Sequence, residues 1–186
     1  YVTPMLRRFG QKLDTISDME DMPLDFAKVS KGWRKTSNSS VYFFPSTHDI
    51  FVENMVEYVD VCRKMIDAGH EIMYVSKPHL EGTKKFIEEV AKLPSTLHYM
   101  KNINVWITIT TDNNELIKVW EPHAPSYEER VECLKLLQCA GFRTSIMCEP
   151  YLSDPFSFIP KLAKYVKGVI AVGVMNYTST FQFDED

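Results

Sequence analysis

The chain has 186 residues, 45% of them hydrophobic, and a formal net charge of −4. That length and composition suit one domain with a full core. The acidic balance provides no global basic field for nonspecific nucleic-acid binding and leaves only a local groove for it. No apolar run reaches the length of a membrane span, and no signal-peptide pattern is read at the start. Cys62, Cys133, Cys139 and Cys148 are scattered, without C-x-x-C or zinc spacing. Three of them fall in helix patterns, so they read as reduced, mostly buried thiols in an intracellular, cytoplasmic protein.

Residues 1–40 read as an irregular N-terminal segment. Pro4 suits a first helical turn leading to Met5, Leu6 and Leu13, and a polar connection with one short helix follows. Val41 to Phe44 is the first strand, ending in Pro45-Ser46-Thr47-His48-Asp49. Val52, Met55, Val56, Val59, Cys62 and Ile66 then repeat at helical spacing, with Gly69 at the close. A second strand, Glu71 to Val75, ends in Ser76-Lys77-Pro78-His79. A helix is expected from Thr83 to about Leu93.

Val105 to Asp112 is a third strand with high β-propensity. Its alternation sends Val105, Ile107 and Ile109 to one face and Trp106, Thr108 and Thr110 to the other. The loop behind it, Glu121 to Pro125, leads into a helix. Ser126 is its N-cap, with Glu129 at capping-box spacing and Gly141 placed to close it. Thr144 to Glu149 is the fourth strand. A helix carrying Phe158, Ile159, Leu162, Tyr165 and Val166 follows, with Pro160 near its first turn. Val169 to Val174 is the fifth strand, ending in Met175-Asn176-Tyr177, and residues 178–186 are a tail.

Strands alternating with helices about every 30 residues predict a parallel sheet with right-handed crossovers. Each strand breaks into polar residues at its C-terminal end, where parallel α/β folds bind ligands. Loops are polar in any case because they meet water. Thr108 and Thr110 are less easily explained that way, since they lie within a strand and face away from its helices. They point to a wet, functional lumen. Lys77 at a strand end suits neutralising a carboxylate, or a plain solvated role. Arg130 falls in a first helical turn, where the dipole disfavours a cation. It therefore calls for an anionic partner, first of all Glu121. His48 beside Asp49 reads as a loop pair before acid–base work. His70 and His98 receive no role.

Ile107-Thr108-Ile109-Thr110-Thr111, then Glu121-Pro122-x-Ala124-Pro125-Ser126-x-x-Glu129-Arg130, a Leu-rich helix, Ala140-Gly141-Phe142 and Glu149-Pro150 resemble the radical S-adenosylmethionine (radical SAM) enzymes. The branch is that of spore photoproduct lyase-like proteins. Pro45 to Asp49, Ser76-Lys77 and Asn176-Tyr177 are similar to other strand ends of that branch. The resemblance covers residues 41–177. It implies a partial (β/α)6 TIM-like barrel, of which about five β/α units are present. It implies S-adenosylmethionine and a [4Fe–4S] cluster as cofactors, an electron donor as partner, and a 5′-deoxyadenosyl radical acting on an unknown substrate. Nucleic acid as substrate has no support from the charge. By resemblance, the cofactor-binding set is Ser46, Thr47, Lys77, Thr108, Thr110, Arg130 and Glu149, with Asn176 and Tyr177 closing the substrate side.

The family's C-x3-C-x2-C cluster loop is not in this chain, and four scattered cysteines do not replace it, so no metal ligand is assigned. The economical expectation is a fragment that begins just after that loop, inactive alone and part of an enzyme when complete. Two rivals stand beside it. One is a non-enzymatic binding module of the same fold that has lost the cluster. The other is an unrelated α/β hydrolase, flavodoxin-like domain or α/β barrel enzyme. The absence of a G-x-S-x-G elbow and of a glycine-rich phosphate loop lowers that second rival.

Overall fold

The computed structural model describes residues 24–35, 38–46 and 49–174. The expected helix after Pro4, the residues Thr47, His48, Asn176 and Tyr177, and the tail lie outside them. Five strands form one parallel sheet in sequence order: β1 (Val41–Phe43), β2 (Glu71–Ser76), β3 (Ile103–Thr108), β4 (Arg143–Cys148) and β5 (Ile170–Val172). Each strand pairs with its sequence neighbour, as in Tyr42 with Ile72, Ile107 with Ile146, and Ile146 with Ile170. The sheet is a curled half-barrel, and its sequential order rejects a doubly wound arrangement.

Seven α-helices lie among the described residues: α1 (Phe26–Val29), α2 (Met55–Asp67), α3 (Leu80–Ala91), α4 (Thr96–Asn102), α5 (Asn114–Trp120), α6 (Tyr127–Ala140) and α7 (Pro155–Leu162). Ile72, Tyr74, Ile103, Val105, Ile107, Ile109, Ile146 and Cys148 bury against Met55, Val59, Ile66, Phe86, Val90, Leu134 and Leu137. One strand face is thus the core face. The alternate residues Met73, Val75, Asn104, Trp106 and Met147 are only half-buried, as expected for the concave side of an open half-barrel. There the Asn104 amide lies 3.0 Å from Ser145 Oγ and 2.9 Å from Trp106 Nε1. Val169 N donates to Ser145 Oγ at 3.0 Å, drawing the approach to β5 against β4.

Several boundaries differ from expectation. The third strand begins two residues early, at Ile103, and ends at Thr108, so Thr110 lies beyond it. The helix expected from Thr83 starts at Leu80, because Leu80 N donates to Glu129 Oε1 of α6 at 2.8 Å. That carboxylate cannot also complete a capping box. Ser126 Oγ does accept from Glu129 N at 3.2 Å, but the Glu129 side chain reaches α3 and lies 3.3 Å from His79 Nδ1. Gly141, at φ 101°, ends α6 in the left-handed conformation that costs glycine nothing.

The short helices α4 and α5 were not foreseen. α5 starts at Asn113, whose Oδ1 accepts from Glu115 N at 2.9 Å. α7 starts before its expected apolar stripe. Asp154 caps it by accepting from Phe156 N at 3.0 Å, and Pro155 is the first-turn proline. Pro160 therefore sits inside that helix. After Leu162 the chain tightens into a 3-10 turn, Ala163–Tyr165, so the expected helix to Val166 stops short.

Candidate functional site

The site is built at the C-terminal edge of the sheet. β1 ends in the cis peptide Phe44-Pro45, and Tyr58 of α2 donates its hydroxyl to Phe44 O at 2.8 Å. Burial pushes the ionisation of that hydroxyl well above the ordinary tyrosine range, so it remains a donor. This bond fixes the chain just before Ser46, which is exposed. After β2, Lys77 N donates to Asp49 Oδ1 at 3.2 Å, tying two strand ends together.

The centre of the edge is the carboxylate of Glu121. Glu121 closes α5, its N–H donating to Ile117 O at 2.8 Å. The turn that follows has Ala124 N donating to Glu121 O at 3.0 Å and His123 at φ 70°. Glu121 Oε2 receives Arg130 Nη2 of α6. Glu121 Oε1 accepts from Thr110 Oγ1 at 3.2 Å and lies 3.5 Å from Lys77 Nζ. Arg130 also donates from Nε to Pro125 O at 2.9 Å and from Nη1 to Thr108 O at 3.0 Å. Its side chain is 0% exposed. A cation in a first helical turn is tolerated here because a buried carboxylate faces it.

This geometry sorts the expected cofactor-binding residues. Lys77 has 36% of its side chain exposed at the edge, with its ammonium 3.5 Å from Glu121 Oε1. Ser76 pairs with Ile107 and Thr108 with Met147, so Lys77 stands level with Thr108 and Met147 across three strands. Thr108 is nearly buried and Thr110 is 1% exposed, its hydroxyl on Glu121. Thr110 therefore does not line an open, wet lumen. Arg130 is sealed behind Glu121 and supports the edge from within. Glu149, followed by the cis peptide to Pro150, is exposed and packs over Gly173. A Cβ at Gly173 would meet the Glu149 side chain at 2.8 Å. Ser46 is at the same edge, and Thr47 lies outside the described residues.

Sequence reasoning named Glu121 only as a partner for Arg130. Its contacts with Lys77 and Thr110 depend on the unforeseen helix α5 and the turn behind it. Beyond Thr110, Thr111 is fully buried, and its Oγ1 shares a 2.7 Å hydrogen bond with Ser153 Oγ. Leu152 N donates to Thr110 O at 2.8 Å. These bonds hold the β4–α7 loop against the end of β3.

The cysteines do not fit a [4Fe–4S] cluster. Cys62, Cys133 and Cys148 are buried in the helix-facing core, while Cys139 is exposed near the far end of α6. Burial pushes the Cys62 thiol up to about 12 and the Cys148 thiol up to about 11, which disfavours the thiolate a cluster needs. Among the described residues no three His, Cys, Asp or Glu side chains are grouped to hold a metal ion. No helix among them is long and apolar enough to cross a membrane. Comparison with protein-family models, curated proteins and solved structures finds no match to this chain.

Proposed function

We propose that this chain is the cofactor-holding sheet of a radical SAM-type enzyme, a partial (β/α)6 barrel with about five of its units in these 186 residues. The carrying observation is the partly exposed side chain of Lys77, its ammonium 3.5 Å from Glu121 and level with Thr108 at the C-terminal edge of five sequential parallel strands. In this reading Lys77 receives the carboxylate of S-adenosylmethionine and Glu149 faces its ammonium. Thr108 and Ser46 provide hydroxyls beside them. Thr110, Arg130 and Glu121 hold Lys77 in place. In enzymes of this type the cofactor supplies the 5′-deoxyadenosyl radical, and the protein binds and orients it.

The cysteines of this chain do not fit the cluster, so the reading assigns it cofactor binding and no cluster ligand. A binding module of the same fold is the rival. It shares the binding edge and differs in lacking turnover.

Calorimetric titration of the chain with S-adenosylmethionine tests the proposal. Lys77→Ala removes a charge-assisted hydrogen bond worth about 1.5–3 kcal/mol. It should weaken binding by roughly 10- to 150-fold. Thr108→Val removes a neutral hydroxyl and should cost about 1 kcal/mol. Failure of the wild type to bind, or a Lys77→Ala variant that binds as well as wild type, overturns the assignment.

A further inference from the structure

We infer that residues 177–183 of this chain pair along the free edge of β5 as a sixth, antiparallel strand, and that Asp184, Glu185 and Asp186 reach the lysines beyond α7. The inference is independent of the cofactor reading. Among the described residues β5 is the last strand of the sheet, paired with β4 on one side. Val169 O accepts from Ile146 N at 2.9 Å, and Gly173 N donates to Cys148 O at 3.0 Å. Successive residues of a strand turn their backbone groups to opposite sides. The N–H and C=O of Ile170, Val172 and Val174 therefore face the free edge. That edge is apolar as well. Val172, Val174 and Phe156 are exposed. Beside them lies a groove of about 580 Å³, lined by Tyr151, Phe156, Ile159, Pro160 and Val172 among others. An exposed apolar strand edge is a template for another strand.

The residues that follow Val174 have the matching pattern. Tyr177, Ser179, Phe181 and Phe183 alternate with Thr178, Thr180 and Gln182. That is a strand period with one largely aromatic face. Met175 and Asn176 make a two-residue connection, the commonest hairpin length, and asparagine tolerates the left-handed conformation such turns use. This connection sets Tyr177 opposite Val174, Ser179 opposite Val172 and Phe181 opposite Ile170. Opposite residues of an antiparallel pair share a face. Val172 lines the groove, so Tyr177, Phe181 and Phe183 fall on the groove side, toward α7. A slip of one residue would send all three to the concave face.

Charge supports the same direction of travel. Lys161, Lys164 and Lys167 are exposed around the end of α7 and the approach to β5. Lys167 N donates to Thr144 O at 3.1 Å, which places it beside the start of β4. The register that sets Phe181 opposite Ile170 brings Asp184 level with Lys167, and Glu185 and Asp186 on toward Lys164. An acidic run thus meets a basic patch at the end of an apolar groove.

Oxidation with oxidised glutathione in a Cys139→Ser background tests the register. Ala171 would stand opposite Thr180 at a non-hydrogen-bonded position, where Cα atoms are about 4.5 Å apart. Ala171→Cys/Thr180→Cys should form a disulfide within the chain at least about tenfold faster than Ala171→Cys/Phe181→Cys, whose side chains would point to opposite faces. Equal rates mean an undocked segment and overturn the inference. Disulfides between chains mean that a second copy takes the edge, and overturn it as well. The unsubstituted chain gives a second measurement. Chymotrypsin should cut after Phe181 at least about tenfold more slowly than in a free peptide of residues 175–186. Lys161→Glu/Lys164→Glu/Lys167→Glu should raise that rate several-fold. Adding Asp184→Lys/Glu185→Lys/Asp186→Lys should restore protection. Cutting at the peptide's rate in the unsubstituted chain, or a rate indifferent to these charge reversals, overturns the inference and leaves the cofactor reading standing.

Discussion

Arg130→Ala probes the buried lock directly. The substitution deletes a guanidinium that is 0% exposed and makes hydrogen bonds to Pro125 O, Thr108 O and Glu121 Oε2. It leaves the Glu121 carboxylate, 8% exposed, with the Thr110 hydroxyl and a Lys77 contact of 3.5 Å. Two buried carbonyls lose donors at the same time. Breaking a buried ion pair from one side costs about 3–5 kcal/mol, because the remaining charge has no adequate partner. For a chain of this length each kcal/mol moves Tm by about 2–4 °C, so a fall of roughly 6–20 °C is expected. With a urea m-value of about 2 kcal/mol/M, the midpoint should drop by about 1.5–2.5 M. The double variant Arg130→Met/Glu121→Leu removes both charges. It should cost clearly less than the sum of its single substitutions, since neither charge is left behind. A loss below about 1 kcal/mol for Arg130→Ala, or strict additivity in the double variant, would refute the lock.

Thiol labelling of the native chain near neutral pH should modify Cys139 first, with Cys62, Cys133 and Cys148 reacting only on unfolding; rapid native labelling of Cys148 would contradict its burial. Burial raises Cys148 from 9.0 to about 11, so the stability held in its neutral thiol is full below pH 9 and lost as pH climbs to about 11. Cys148→Ala should therefore show a shallower alkaline decline than wild type in urea midpoints taken between pH 8 and 10.5, by up to about 1.4 kcal/mol per pH unit. Gly168→Ala would set a Cβ 2.2 Å from Ser145 Oγ and 3.1 Å from Thr144 O, so it should destabilise by about 1–3 kcal/mol in a denaturation curve. Gly173→Ala pushes on the exposed Glu149 side chain at 2.8 Å. It should weaken S-adenosylmethionine binding several-fold while shifting Tm little, and unchanged binding would remove Glu149 from the site.

Local patterning carried much of the architecture. The alternation of Val105 and Ile107 against Trp106 is a property of consecutive residues, and the sheet keeps it; it fails past Thr108, where the strand ends and Thr108, Ile109 and Thr110 are all buried. Ser126 and Gly141 bracket α6 because capping depends on residues within one turn. The opposition of Arg130 to the helix dipole called for an anionic partner, and Glu121 stands nine residues earlier in the chain. Nothing local, however, says where Glu129 goes. Its spacing fits a capping box, yet its carboxylate crosses 49 residues of sequence to cap α3. That choice exists only once two helices lie side by side. Likewise Thr110 reads as an inward polar residue and is sealed under Glu121. Lys77, from 44 positions earlier in the chain, meets the same carboxylate because the ends of β2 and β3 and the start of α6 have been brought to one edge. By itself the sequence determined which segments are strands, which face of each is apolar, and where the polar ends fall, since these depend on neighbours along the chain. The tertiary structure alone decided that the Arg130–Glu121 pair is buried and that Thr110 and Lys77 join it, because burial and such contacts are set by residues far apart in sequence.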